Sequence, residues 1–84
     1  MYFVYLLEGR GGKRYVGFTS DLKARMKSHM SGKVYTTKTM LPVRLVYVEG
    51  CLDASDARRR EGYLKKSGGK KFLAKRLKDH YSKL

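Results

Sequence analysis

Apolar and polar positions alternate between two periods along this chain of 84 residues. Residues 2 to 7, Tyr-Phe-Val-Tyr-Leu-Leu, form an unbroken aromatic and β-branched run, which predicts a strand covered on both faces. Gly9-Arg10-Gly11-Gly12 interrupts it, and Lys13 to Phe18 resumes the pattern, so the two runs predict a hairpin. Pairing Leu7 with Lys13 sets Tyr5 opposite Tyr15, with both rings on one face; a slip of one residue would separate them.

The period then changes. Leu22, Met26 and Met30 recur at helical spacing and are expected to face a core, with Arg25 and His29 neighbours on an adjoining row. Ser20 (or Thr19) is the expected N-cap, Asp21 suits the positive end of the helix, and Gly32 is placed to end it. Lys33 to Pro42 has no clear period. Its Thr36, Thr37, Thr39, Lys33 and Lys38 offer hydroxyls and ammonium groups to phosphates, or form a plain connection.

Val43 to Glu49 predicts a third strand, with Pro42 at its start. Its inward set is either Val43, Leu45 and Tyr47 or the alternate pair Val46 and Val48. Asp53 caps a second helix, with Asp56 three residues on in an acidic variant of the capping box. Ala57, Glu61 and Leu64 share one face of that helix, and Arg58, Arg59 and Arg60 cover the rest. Gly68-Gly69 is expected to stop it. A third helix follows from Lys70 to about Tyr81, with Leu73, Leu77 and Tyr81 inward and Lys70, Lys71, Lys75, Arg76 and Lys78 outward. Hairpin, helix, strand, helix, helix is an α+β order, expected to build a central three-stranded antiparallel sheet flanked by three helices. Residues 1–84 are expected to make one domain with a modest core.

Composition sharpens the picture through charge. Twenty Lys+Arg against seven Asp+Glu give a net charge of +13. So positive a surface repels itself, which is tolerable mainly if the normal partner is a polyanion, and nucleic acid leads. A membrane surface fits less well, because the basic residues are not confined to one helix face backed by aromatics. Cys51 stands alone, so neither an intrachain disulfide nor a cysteine metal site can form. The apolar run at the N-terminus is too short for a signal peptide or a membrane span, and a cytoplasmic location is expected.

Glu61 is the informative carboxylate. On the apolar row of its helix, a glutamate is rarely found unless paired or bound to a cation. An ion pair with a neighbouring arginine would satisfy it; so would one Mg²⁺, which takes one or two carboxylates, keeps several waters and completes its shell with phosphate oxygens. Phosphodiester cleavage also needs a cation near the scissile phosphate, which Arg25 supplies in bidentate form. It needs a group to take a proton from water, for which Tyr5, Tyr15 and His29 are the candidates. A tyrosine titrates near ~10 and needs a positive field to act as a base at neutral pH, which this chain is expected to supply. His80 is expected to be an ordinary surface histidine.

With Tyr5 in Phe-Val-Tyr, Tyr15-Val16-Gly17, Arg25, His29 and Glu61 in that order, the chain resembles the GIY-YIG nuclease superfamily. It is most similar to small single-domain bacterial members related to the amino-terminal nuclease domain of the excinuclease C subunit. The likeness runs from about Tyr2 to Lys66. It implies a metal-dependent endonuclease acting on DNA, single- or double-stranded and including branched forms, with a link to DNA repair. It implies one divalent ion, Mg²⁺ or Mn²⁺, held by Glu61, phosphate contact by Arg25, and water activated and oriented by Tyr5, Tyr15 and His29. Products would carry a 5′-phosphate and a 3′-hydroxyl. Lys33, Lys38, Arg58, Arg59, Lys70 and Lys71 are the expected nucleic-acid contacts.

Phe3 stands where the family name has its first glycine, and Phe18 where some members have a lysine. The asparagine that many members place after the metal glutamate is absent, because the chain has none. The alternative is a non-catalytic module binding structured DNA or RNA through the same basic surface. With Asn and Gln both absent, little base-specific reading is expected, and strict targeting would come from a partner protein.

Overall fold

The computed structural model describes residues 1–83. Its frame is a three-stranded antiparallel sheet in the order β2-β1-β3, formed by β1 (Tyr2–Glu8), β2 (Arg14–Thr19) and β3 (Arg44–Cys51). The apolar run at the N-terminus is therefore the central strand, and it is covered on both faces as its composition requires. Val4 and Leu6 point to one side, into a core with Ala57, Leu64 and Leu73. Tyr5 and Leu7 point to the other, into a cluster with Met40 and Val43.

The hairpin register differs from the sequence expectation. A short 3-10 turn at Arg10–Gly12 lengthens the connection, so Leu7 pairs with Tyr15 and Tyr5 with Gly17. The offset is two residues, an even number, so Tyr5 and Tyr15 still share a face, with ring centroids 6.3 Å apart. Neither inward set expected for β3 holds. The β1–β3 register shifts between Leu6 and Leu7, and this bulge lets the consecutive residues Val46 and Tyr47 both pack on the first core, while Leu45 and Val48 are exposed.

The first helix, α1 (Leu22–Met30), is capped by Asp21, not by Ser20 or Thr19: the Asp21 carboxylate accepts from the Ala24 amide. Thr19 Oγ1 accepts from the Asp21 amide and so braces the cap. Leu22 and Met26 pack beneath the sheet, but Met30 is 56% exposed, because the helix ends there and Gly32 turns away at φ +76°. The stretch expected to be irregular contains a short helix, α2 (Tyr35–Lys38).

On the other face, α3 (Ala54–Leu64) begins at Asp53, which accepts from the Ser55 amide, while Asp56 pairs with Arg59. The glycine pair does not stop this helix. It opens the next, α4 (Ser67–Arg76), where a Cβ on Gly69 would collide with the Tyr63 carbonyl and the Leu64 backbone. Glycine thus lets α4 begin in contact with the end of α3. The single last helix expected from sequence is broken at Leu77, after which α5 (Lys78–Ser82) follows. His80 on α5 is not a free surface residue: its Nε2 lies 3.0 Å from Glu8 Oε1. The ring of Tyr81 lies under the Arg14 guanidinium at 3.9 Å.

Candidate active site

On the face of the sheet opposite α3 and α4, Tyr5, Tyr15 and His29 form a cluster of rings. Tyr5 comes from the central strand, Tyr15 from the edge strand and His29 from the last turn of α1. The His29 ring meets both phenols edge-on, at centroid distances of 5.6 Å to Tyr5 and 5.3 Å to Tyr15. Tyr5 reaches this position because its partner across the ladder, Gly17, has no side chain. Its hydroxyl hydrogen-bonds His29 Nε2 at 2.7 Å.

The opposite ring nitrogen, Nδ1, meets Thr37 Oγ1 at 2.8 Å, and both His29 and Thr37 are fully buried. Thr37 is therefore not one of the phosphate-facing hydroxyls its loop suggested. Nothing in its local sequence marks it, since its burial depends on a histidine eight residues earlier.

Arg25, one turn before His29 on α1, lies beside the two phenols. Its Nε is buried and has no hydrogen-bond partner among the described residues. The charge on this guanidinium, added to burial, holds the His29 imidazole below its ordinary value, so the ring is neutral at neutral pH. For Tyr5 the balance differs from the sequence expectation. Burial pushes its phenol up, Arg25 pulls it down, and Tyr15 and Glu61 push it up again; the net shift is upward. The positive field is present but loses to desolvation, so Tyr5 rests protonated. The two phenols in turn raise Arg25, with Tyr5 the larger influence.

Glu61 sits on the inner side of α3, half-buried, near enough for its charge to bear on Tyr5. It pairs with Lys65 at 3.1 Å and not with an arginine. Among the described residues no three His, Cys, Asp or Glu side chains gather in the manner of an all-protein metal cage. A lone carboxylate suits a cation that keeps several waters and shares its shell with substrate phosphates, as Mg²⁺ does.

Arg59 is engaged with Asp56, Arg58 stacks over the Phe18 ring at 4.3 Å, and the Lys38 ammonium lies 5.7 Å from the Tyr35 ring. Lys33, Lys70 and Lys71 are exposed, the last two in the opening turn of α4. The acids are mostly consumed inside the molecule. Glu8 binds Arg14, Arg44 and His80, Glu49 binds Arg60, Asp56 and Glu61 are paired, and Asp21 and Asp53 cap helices.

Two tyrosines on adjacent strands beside an arginine and a histidine on the following helix are the elements of the GIY-YIG pattern in space. The sequence matches the GIY-YIG catalytic domain over residues 1–72. The chain belongs to the GIY-YIG family. Its similar relatives include a UPF0213 protein of Streptococcus pneumoniae serotype 4, 38% identical over 65 residues, covering 76% of this chain and 66% of the relative. The present chain thus spans slightly under two thirds of that relative's length. A UPF0213 protein of Bacillus licheniformis is 33% identical over 81 residues, or 95% of this chain and 77% of the relative. The solution NMR structure of a UPF0213 protein from Bacillus halodurans superposes with a TM-score of 0.56 at 34% identity, covering 89% of this chain and 84% of that one. The α+β fold is thus shared with a solved relative. The GIY-YIG domain is of nuclease type, and its members generally work with a divalent metal ion on DNA. No helix among the described residues is long and apolar enough to cross a membrane.

Proposed function

We propose that residues 1–84 act as one metal-dependent endonuclease unit that hydrolyses DNA phosphodiester bonds. The observation that carries this reading is the Tyr5–His29 hydrogen bond set against Arg25, whose buried Nε has no acceptor among the described residues. An unmet cationic donor beside a proton-sharing pair suits an anionic oxygen whose neighbour must lose a proton.

In this reading Arg25 binds the scissile phosphate and opposes the charge that develops on it. Tyr5 takes the proton of the attacking water, and His29, kept neutral by burial and by Arg25, shares that proton. Tyr15 orients the water from the edge strand. Glu61 would leave Lys65 and hold one Mg²⁺ or Mn²⁺, which when bound neutralises charge on the phosphate and the leaving oxygen. Lys33, Lys38, Arg58, Arg59, Lys70 and Lys71 carry the flanking backbone, with little base preference because no Asn or Gln exists to read adenine.

A second reading, a nucleic-acid-binding module without chemistry, is favoured by the Glu61–Lys65 pair and by the missing asparagine. One experiment separates the two. The protein is incubated with supercoiled plasmid and with single-stranded DNA, with and without Mg²⁺, beside Glu61→Gln. Cleavage that needs the metal and disappears in the variant, with DNA binding nearly intact, is expected. Full activity in Glu61→Gln would remove the metal assignment, and binding without any cleavage would establish the module.

A further inference from the structure

Imidazole has two nitrogens, and the proton on one dictates what the other can do. In His29, Nε2 faces Tyr5 Oη at 2.7 Å and Nδ1 faces Thr37 Oγ1 at 2.8 Å. A neutral ring carries one N–H, so two patterns are available. In the first, Nδ1–H donates to Thr37 and Nε2 accepts the Tyr5 hydroxyl. In the second, the Thr37 hydroxyl donates to Nδ1, Nε2–H donates to Tyr5, and the phenolic proton must go elsewhere.

The surroundings decide between them. Thr37 has another acceptor for its proton, the Val34 carbonyl at 3.5 Å, so the hydroxyl does not depend on His29. In the resting protein, where its side chain is fully buried, Tyr5 has no such outlet. Its neighbour Arg25 is a donor without acceptor capacity, and His29 Nε2 is the hydrogen-bond partner of the Tyr5 hydroxyl among the described residues. The second pattern therefore strands a phenolic proton in a fully buried site, whereas the first satisfies Tyr5, His29 and Thr37 together.

We infer that Thr37 is a positioning residue: its Oγ1 accepts Nδ1–H in the tautomer that Tyr5 imposes, and so fixes the ring with Nε2 as the acceptor of the Tyr5 proton. The effect on turnover rests on the nuclease reading; the tautomer is a property of the resting protein. The proton path follows. As the water oxygen bonds to phosphorus, the water proton passes to Tyr5 Oη while the Tyr5 proton passes to His29 Nε2. The bond from phosphorus to the 3′ oxygen breaks, and that oxygen takes a proton from solvent water. The imidazolium then returns its extra proton through Tyr5 to solvent.

The tautomer is read directly by ¹⁵N NMR of the imidazole nitrogens. The chain has two histidines, so His80→Gln assigns the signals. In the wild type, Nδ1 should appear as a protonated, pyrrole-type nitrogen and Nε2 as an unprotonated, pyridine-type one. Thr37→Ser should keep both signals, whereas Thr37→Val should keep the tautomer but move the Nδ1 resonance to that of an N–H without an acceptor. Where cleavage is measured, Thr37→Val should lower kcat roughly 10- to 100-fold with KM unchanged, the scale on which partners that orient a histidine act. The reverse assignment in the wild type, or an unchanged Nδ1 resonance in Thr37→Val, would overturn the inference. Should Thr37→Val fail to fold, the wild-type assignment and Thr37→Ser decide the matter. Absence of cleavage in the wild type would count against the nuclease reading and leave the nitrogen assignment standing.

Discussion

Gly17 stands directly opposite Tyr5 across the β1–β2 ladder, and the Tyr5 ring occupies the space that a side chain at Gly17 would fill. A Cβ at this position would meet the Tyr5 hydroxyl and ring and the edge of Tyr15. The glycine is required by close approach, not by backbone conformation, since its φ is not positive. The glycine of Tyr15-Val16-Gly17 is thus the floor on which Tyr5 rests.

Gly17→Ala is therefore expected to act on Tyr5. Overpacking of this kind costs about 1–3 kcal/mol. Displacing the ring should also break the hydrogen bond to His29. An unchanged urea midpoint together with unchanged cleavage would show that the space is not confined.

Tyr5→Phe and Tyr15→Phe should part company in stability. Removing the Tyr5 hydroxyl leaves buried His29 Nε2 without a partner, a loss of roughly 1–3 kcal/mol, whereas Tyr15 is half-buried and its hydroxyl is not the partner of a buried ring nitrogen. Both should cut turnover by roughly 100-fold or more if both hydroxyls handle the water. Equal melting temperatures in the two variants would contradict the buried-pair account.

Acid should weaken the fold in two stages. His29 lies below its ordinary 6.5 when folded, from burial first and Arg25 second. The unfolded chain then binds more protons, so the contribution is complete above 6.5 and fades as pH falls through the folded value. Burial pushes Glu8 up, but His80, Arg44 and Arg14 outweigh it and hold the carboxyl below its ordinary 4.5. Its contribution is present above 4.5 and fades as pH falls through the folded value. Urea midpoints measured from pH 7.5 downward should decline first on account of His29; a flat profile until carboxylates titrate would refute that assignment.

Binding to duplex DNA should be steeply salt-dependent. With roughly 5 or 6 phosphate contacts, log affinity falls with log salt at a slope near −4 to −5. Lys70→Ala and Lys71→Ala should each reduce the slope by about 1, uniformly across sequences. A slope near zero would mean that the +13 charge serves something other than phosphate.

Much of this architecture is legible in the chain, for physical reasons that differ by element. The central strand shows itself because Tyr2 to Leu7 has no polar position to leave exposed. The shared face of Tyr5 and Tyr15 survives a misjudged loop because strand parity ignores an even offset. Arg25 and His29 follow from helical spacing. Thr37 does not, because its burial is set by a partner eight residues away and not by its own segment. The bulge in β3 escapes notice because alternation assumes a regular partner, and the shift occurs between Leu6 and Leu7 on β1. The glycine pair misleads because a glycine beside a helix signals a stop, whereas Gly69 answers to the backbone of α3. Tyr5's resting state was likewise unreadable, since the field of Arg25 is visible in sequence and the desolvation opposing it is not.

Because nearly every acid is engaged with a cation or a helix end, few carboxylates remain to interrupt the outward lysines and arginines. Ionic strength consequently pulls the free and the loaded protein in opposite directions. Added salt relieves the mutual repulsion of the folded polycation, and the same salt displaces it from a phosphate backbone. The conditions that best preserve the empty molecule are then those in which it holds its ligand least well, and a nucleic acid at low salt takes over the screening that free ions otherwise provide.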